Sequence, residues 1–455
     1  MFLLILQFLG CSQADLTSQV LSATGYTELL LDTEAAGVPP GDIDAVSIGG
    51  VPAYDLWVTA AGELALTPQG GPSGPQSVVL SVDGEALEVG TVTYAEPVDP
   101  VFDRLAAVGA SVTMGFQDGA PTARAQLAGP VMHVARAAGA WLPLPLFHDD
   151  LWDSLTLDDV GPAPGCLLSD AGAFITSNTL GAISKMAGED GELDFTRARV
   201  SPNLSPHNLA IGNFRIDQIA NGAPPDDPAF SLLTYLAFEN GSAGLGSETG
   251  PSQLDRLEAL EPTMVISTDL YGNDIISSVL SSGKVYWDDL TEEPDYEANL
   301  VVTLERLAAT GADVFLVNLP KVDRLPRVIQ AGHAPADLAI VVERGQRFNQ
   351  LLDEHAASHS NIHVVDAYGY VEDHPDGLTQ GGYTFSMSTL GGLVSFDGIH
   401  FTDTGNALVA QLILDAITEE LGVELPEVPL ASVVTRDPHS PPVTEVYGRD
   451  IDACD

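Results

Sequence analysis

The sequence predicts an α/β protein: a three-layer α/β/α unit around a parallel sheet, preceded by a small all-β sandwich. Three observations carry this. The apolar runs Met264–Ser267, Asp313–Asn318 and Ile362–Asp366 are short and continuous, as strands buried on both faces must be. Helix-like segments at 296–309, 338–358 and 404–421 alternate with them, the order expected of a sheet covered on both sides. Between residues 17 and 96, short strand-like stretches recur between turn clusters, which is the punctuation of a β-sandwich.

Taken in order, the chain opens on an apolar run, Met1–Gly10, that ends at Cys11. The run is too short to span a bilayer, which takes ~20 apolar residues. Phe8-Leu-Gly-Cys11 resembles a bacterial lipoprotein signal, although no Lys or Arg precedes Arg104, whereas a signal normally begins basic. The resemblance implies a signal peptide over 1–11 and lipid on Cys11. It also implies export to the outer membrane or cell surface, or otherwise to the periplasm or medium. The other two cysteines, Cys166 and Cys454, would then be a disulfide pair or two free thiols.

Residues 12–97 form the predicted sandwich. Its strands are 27–31, 45–48, 54–58, 63–66, 77–82 and 90–94, with turns at Pro39–Asp42, Gly49-Gly50, Gly70–Pro75 and Asp83-Gly84. The motifs Val46-Ser-Ile-Gly-Gly50, Gly74–Val82 and Val92-Thr-Tyr94 resemble those of IPT/TIG-type immunoglobulin-like domains, which usually space or bind. The linker Glu96-Pro-Val-Asp-Pro100 leads into the second unit, 98–425. Within that unit, 147–250 is rich in Gly, Pro and Asp without a clear period. It is expected to lie as insertions over the functional edge of the sheet. Residues 426–455, with five prolines, are expected to be an extended tail.

Charge narrows the partners. The chain carries 64 Asp+Glu against 17 Lys+Arg, a net charge of −47 over 455 residues. Such a field repels phosphate backbones and leaves no basic patch for anionic lipid, so nucleic acid is excluded as a partner. A lipid on Cys11 would be the only membrane attachment. A 45% hydrophobic fraction separates the chain from a disordered acidic tail.

Two segments carry chemistry. In Phe396-Asp-Gly-Ile-His400-Phe-Thr-Asp-Thr-Gly405, an Asp three residues before a His can place its carboxylate on the imidazole Nδ1. That fixes the tautomer and leaves Nε2 as a general base. In Gly109-Ala-Ser111-Val-Thr-Met-Gly115, a serine follows a small-residue turn after a predicted strand, where a distant histidine can reach it. With Asn208-Leu-Ala-Ile-Gly212-Asn and Tyr271-Gly-Asn-Asp274, these segments resemble, in the right order, the four blocks of the SGNH (GDSL-like) hydrolase family.

The resemblance implies an SGNH-type α/β/α fold and a carboxylic ester hydrolase without a cofactor or metal. Ser111 would be the nucleophile, His400 the base and Asp397 its orienter. The oxyanion hole would come from the Ser111 and Gly212 N–H groups and the Asn273 amide. Three positions depart from the family pattern: Ala110 for Asp, Val112 for Leu, and Ile211 where Pro is common. The remaining histidines show no metal-ligand spacing. The leading expectation is an exported serine esterase or lipase acting on a lipid or an acylated carbohydrate. The alternatives are a carbohydrate acetylesterase of the same family and a non-catalytic surface-binding lipoprotein.

Overall fold

The computed structural model describes residues 20–440, except 32, 34–36, 149, 156–177, 179–180, 183, 187–197, 223–250, 282, 381 and 390. Cys11, Cys166 and Cys454 lie outside the described residues, as does most of the 147–250 stretch.

The N-terminal unit is all-β. Strands β1 (Val20–Leu21), β2 (Leu29–Leu31), β3 (Ala45–Ile48), β4 (Val51–Pro52), β5 (Asp55–Val58), β6 (Leu64–Thr67), β7 (Gly74–Val82) and β8 (Glu85–Tyr94) form two sheets. The orders are β1-β8-β7-β3-β4 and β2-β6-β5. Alternate residues face inward, as a period of two requires. Val46, Ile48, Val78, Leu80, Val92 and Tyr94 of one sheet meet Leu29, Leu31, Leu64 and Leu66 of the other.

The second unit is built on four parallel strands, β9 (Leu105–Ala107), β10 (Met264–Ser267), β11 (Asp313–Val317) and β12 (Ile362–Val365), in the order β12-β11-β10-β9. Its side chains divide between two cores. Leu105, Ala107, Met264, Ile266, Phe315 and Val317 join one core with residues of the helices at 130–138 and 403–421. Ala106, Val265, Val314 and Leu316 join the other with the helices at 253–260, 293–309 and 335–356. Helices therefore cover both faces, which is why these strands read as continuous apolar runs. Segment 207–209 extends the sheet beyond β9: Ala107 donates to His207 O and Leu209 donates to Ala107 O, at 2.9 and 2.8 Å.

Over its described part, 426–440, the C-terminal stretch differs from the extended tail expected over 426–455. Leu430–Val434 is a helix, and Asp437, His439 and Ser440 are completely buried. Side-chain pairing made within the protein, rather than proline content, sets the path of this segment.

Candidate active site

Loops at the carboxyl ends of β9 and β10 meet the 207–213 segment and the 395–400 loop here, the edge where parallel sheets place their ligands. Ser111 follows β9 after the short link Val108-Gly-Ala110 and opens a single helical turn, Ser111–Met114. The turn depends on Gly109, whose φ is +142°. A Cβ there would lie 2.6 Å from Thr113 Oγ1 and 2.9 Å from both Asp269 Oδ1 and Ser267 Oγ.

Residue 110 is an alanine with no carboxylate, and Asp269, two residues past β10, supplies one to the loop. Asp269 Oδ1 accepts from Ala110 N (2.9 Å), Thr113 N (3.2 Å) and Thr113 Oγ1 (2.6 Å), and Oδ2 accepts from Val112 N (2.6 Å). Burial pushes its carboxyl up, and these four donors oppose that shift only in part. Sequence reasoning missed Asp269. Its only sequence signal is an acidic residue just beyond a buried strand.

Asp397 and His400 come together as the spacing predicted. His400 Nδ1–H donates to Asp397 Oδ2 at 2.8 Å. Asp397 Oδ1 accepts from the backbone N–H groups of Ile399 and His400, both at 2.9 Å. Its Oδ2 also accepts from Gly119 N at 2.8 Å. Burial alone would push the Asp397 carboxyl up, but His400 and these donors outweigh it and hold it well below the usual carboxylate range. For His400, burial acts to lower the imidazolium pKa, and the Asp397 charge overcomes this and raises it. Asp269 adds to that rise, which couples the Ser111 loop electrostatically to the histidine.

Phe116 ties the two halves together. Its N–H donates to Ser111 O at 2.9 Å, and its ring packs against the His400 ring at 5.4 Å between centroids. Among the described residues no hydrogen bond joins Ser111 Oγ to His400. Such bonds are often long without substrate and tighten in the complex.

The amide donors sit beside this loop. Ile211 N donates to Gly109 O at 3.2 Å, so the 208–212 segment follows the turn that carries Ser111. Asn208 Nδ2 braces the same turn from Thr113 O at 2.7 Å. Gly212 is buried, and its N–H points at Met114 Sδ, 3.3 Å away. A Cβ on Gly212 would meet the Phe116 ring at 2.7 Å, so this glycine also makes room for the ring that backs His400. Asn273, in the turn after β10, spends one amide hydrogen on Phe214 O at 2.9 Å; a primary amide has a second to give. Asp274 accepts from Ile216 N, at the start of the helix at 216–221, at 3.0 Å, and from Thr291 Oγ1 at 2.7 Å. Burial pushes its pKa up to about 6.

Within 147–250, Phe147, Trp152, Phe230, Leu232, Leu233 and Tyr235 are the residues expected to line an apolar acyl site; Phe147 and Trp152 are core side chains in edge-on contact with each other. Phe230, Leu232, Leu233 and Tyr235 lie outside the described residues. Among the described residues no cluster of three or more His, Cys, Asp or Glu could hold a metal ion.

A histidine anchored on a buried carboxylate, a serine at a strand-to-helix turn and nearby amide donors are the equipment of acyl transfer. Comparison with protein families points to the same class. The model described as GDSL-like Lipase/Acylhydrolase matches residues 178–413, just over half of the chain. The protein belongs to this family, and membership implies a hydrolase acting on esters. The match takes in Asn208–Asn213, Tyr271–Asp274 and Asp397–His400, while Ser111 precedes it. No curated protein sequence matches the chain.

Proposed function

We propose that the protein is a serine esterase that cleaves carboxylic esters through an acyl-enzyme on Ser111. The observation that carries this reading is the Asp397–His400 pair, buried and hydrogen-bonded at 2.8 Å and coupled through Asp269 to the loop that presents Ser111. With Nδ1–H fixed on Asp397, Nε2 is the free basic position. His400 takes the proton of Ser111 Oγ as the oxygen adds to the ester carbonyl. It returns that proton to the departing alcohol as the tetrahedral intermediate collapses to the acyl-enzyme. Water, deprotonated by the same nitrogen, then adds to the acyl carbon and releases the acid and Ser111.

The oxyanion formed in each half needs donors already in place. In this reading they are the Ser111 N–H, the second Asn273 amide hydrogen and the Gly212 N–H. Gly212 faces only a thioether, a weak acceptor, so a developing oxyanion competes well for its hydrogen. The Asp397 carboxylate stabilises the imidazolium without taking its proton. The acidic surface favours neutral esters over anionic ones.

Replacing Ser111 with Ala should abolish p-nitrophenyl ester hydrolysis while leaving the circular dichroism spectrum unchanged. Wild-type turnover in S111A would remove the assignment. We further propose export, with lipid on Cys11, on the strength of the apolar run that ends there. Among the described residues no helix is long and apolar enough to cross a membrane.

A further inference from the structure

Behind the Asp397–His400 pair lies a second buried ionic group that the proposed reaction does not use. His439 is completely buried between two carboxylates. Its Nε2 lies 2.8 Å from Asp118 Oδ1, and its Nδ1 lies 3.1 Å from Asp437 Oδ1. Both ring nitrogens facing carboxylates means that both carry hydrogens, so the ring is an imidazolium. Burial alone would push its pKa down, but Asp118 and then Asp437 outweigh that and hold it up at about 10.

Each end of this group reaches a different part of the site. Asp437 Oδ2 accepts from Thr404 N (2.8 Å) and Thr404 Oγ1 (2.6 Å), in the first turn of the helix that follows His400. Asp118 Oδ1 also accepts from Phe396 N at 3.0 Å, and Asp118 N donates to Ser395 Oγ at 3.1 Å. The next residue, Gly119, donates to the Asp397 oxygen that also receives His400 Nδ1–H. The C-terminal segment caps the cluster: Gly391 N donates to His439 O at 2.9 Å, and the His439 ring packs on Phe396 at 4.3 Å. Among the described residues, Asp403 also faces this group and pairs with Arg124 at 3.0 Å, and Arg136 interacts with Asp403.

We infer that Asp437–Ser440 is a strap whose docking sets the geometry of the Asp397–His400 pair, with His439 as a positioning residue acting through Asp118 and Gly119. The inference rests on the proposed role of that pair. An imidazolium bridging Asp118 and Asp437 fixes loop 117–119, and that loop fixes one face of the Asp397 carboxylate. Loss of the bridge frees Gly119 N–H, and Asp397 then holds the imidazole with one bond fewer and a looser orientation.

The test is steady-state kinetics of full-length variants on a p-nitrophenyl ester, with pH–rate profiles and thermal melts. His439→Gln strips the cation and leaves both the Asp118 and the Asp437 carboxylates without a counter-charge. Its kcat should fall roughly 10–100-fold, the loss expected when catalytic groups are displaced by a fraction of an ångström to one ångström. KM should change little, and the acid limb of the profile should move. The double variant D118N/H439Q removes one of the two stranded charges and restores an amide pair on the side that reaches Gly119, so it should recover part of the lost kcat. Thr404→Val deletes only one hydroxyl donor to Asp437. It should give a smaller drop in kcat, again without a KM effect, and it decides the matter if H439Q does not fold. A lowered melting temperature with wild-type kcat and an unmoved acid limb in H439Q or T404V would overturn the inference, because a purely structural staple behaves that way. A wild-type protein inactive on every ester tried would instead count against the site assignment itself.

Discussion

His400 shows how one residue's surroundings select its chemistry. Its imidazole is buried, which on its own favours the neutral ring, yet the Asp397 carboxylate reverses this and raises the pKa. A base must be unprotonated to accept the proton of Ser111. The acid limb of kcat/KM should therefore lie above the ordinary histidine value of about 6.5, with activity falling as pH drops through it. A limb at or below that value in the wild type would contradict the pairing. Asp397→Asn keeps the shape but presents an amide to Nδ1, which disfavours the productive tautomer. We expect kcat to fall on the order of 10⁴-fold, the size of effect seen when a triad carboxylate is neutralised. The limb should also move to lower pH.

At the scale of elements, the strand-to-helix turn after β9 is organised by a residue from another strand's end. Asp269 satisfies the N–H groups of Ala110, Val112 and Thr113 and the Thr113 hydroxyl. Asp269→Ala strands the three backbone donors, while the Thr113 hydroxyl keeps Thr268 Oγ1 at 2.8 Å, and should destabilise the fold by about 3 kcal/mol in denaturant unfolding. It should also cost about 10²-fold in kcat by loosening the Ser111 loop. A destabilised D269A protein with undiminished kcat would show that the loop holds its geometry without it. This element also marks where sequence reading stopped. The parallel strands were legible because burial on both faces leaves no polar positions in Met264–Ser267 except its last residue. Asp397 and His400 were legible because their pairing is local, three residues apart. Asp269 was not, because its partners lie 156–159 residues earlier. Only the folded sheet, with β10 beside β9, brings them together.

For the whole molecule, the net charge of −47 describes mainly the surface, while the interior uses a few compensated charges to fasten distant segments. His439 meets Asp118 across 321 residues of chain. No sequence pattern announces that contact, and the prolines of 426–455 pointed instead to a loose tail. The cluster gives stability a pH dependence with a definite sign. His439 has its folded pKa raised to about 10, above the unfolded value of about 6.5. Its stabilising contribution is complete below that unfolded value and is lost as pH rises through the folded one. The melting temperature should therefore fall between about pH 6.5 and 10, a window in which surface carboxylates are already ionised. The H439Q variant should lose much of that fall, and an identical decline in wild type and variant would contradict the buried imidazolium. The central claim, that Ser111 is a nucleophile activated by His400, is tested most directly by reaction with a fluorophosphonate probe and mass mapping of the adduct. The account predicts one stoichiometric adduct on Ser111 in the wild type and none in S111A, with labelling of His400→Ala slowed by orders of magnitude. A wild-type protein that stays unlabelled, or carries the adduct on another serine, would contradict it.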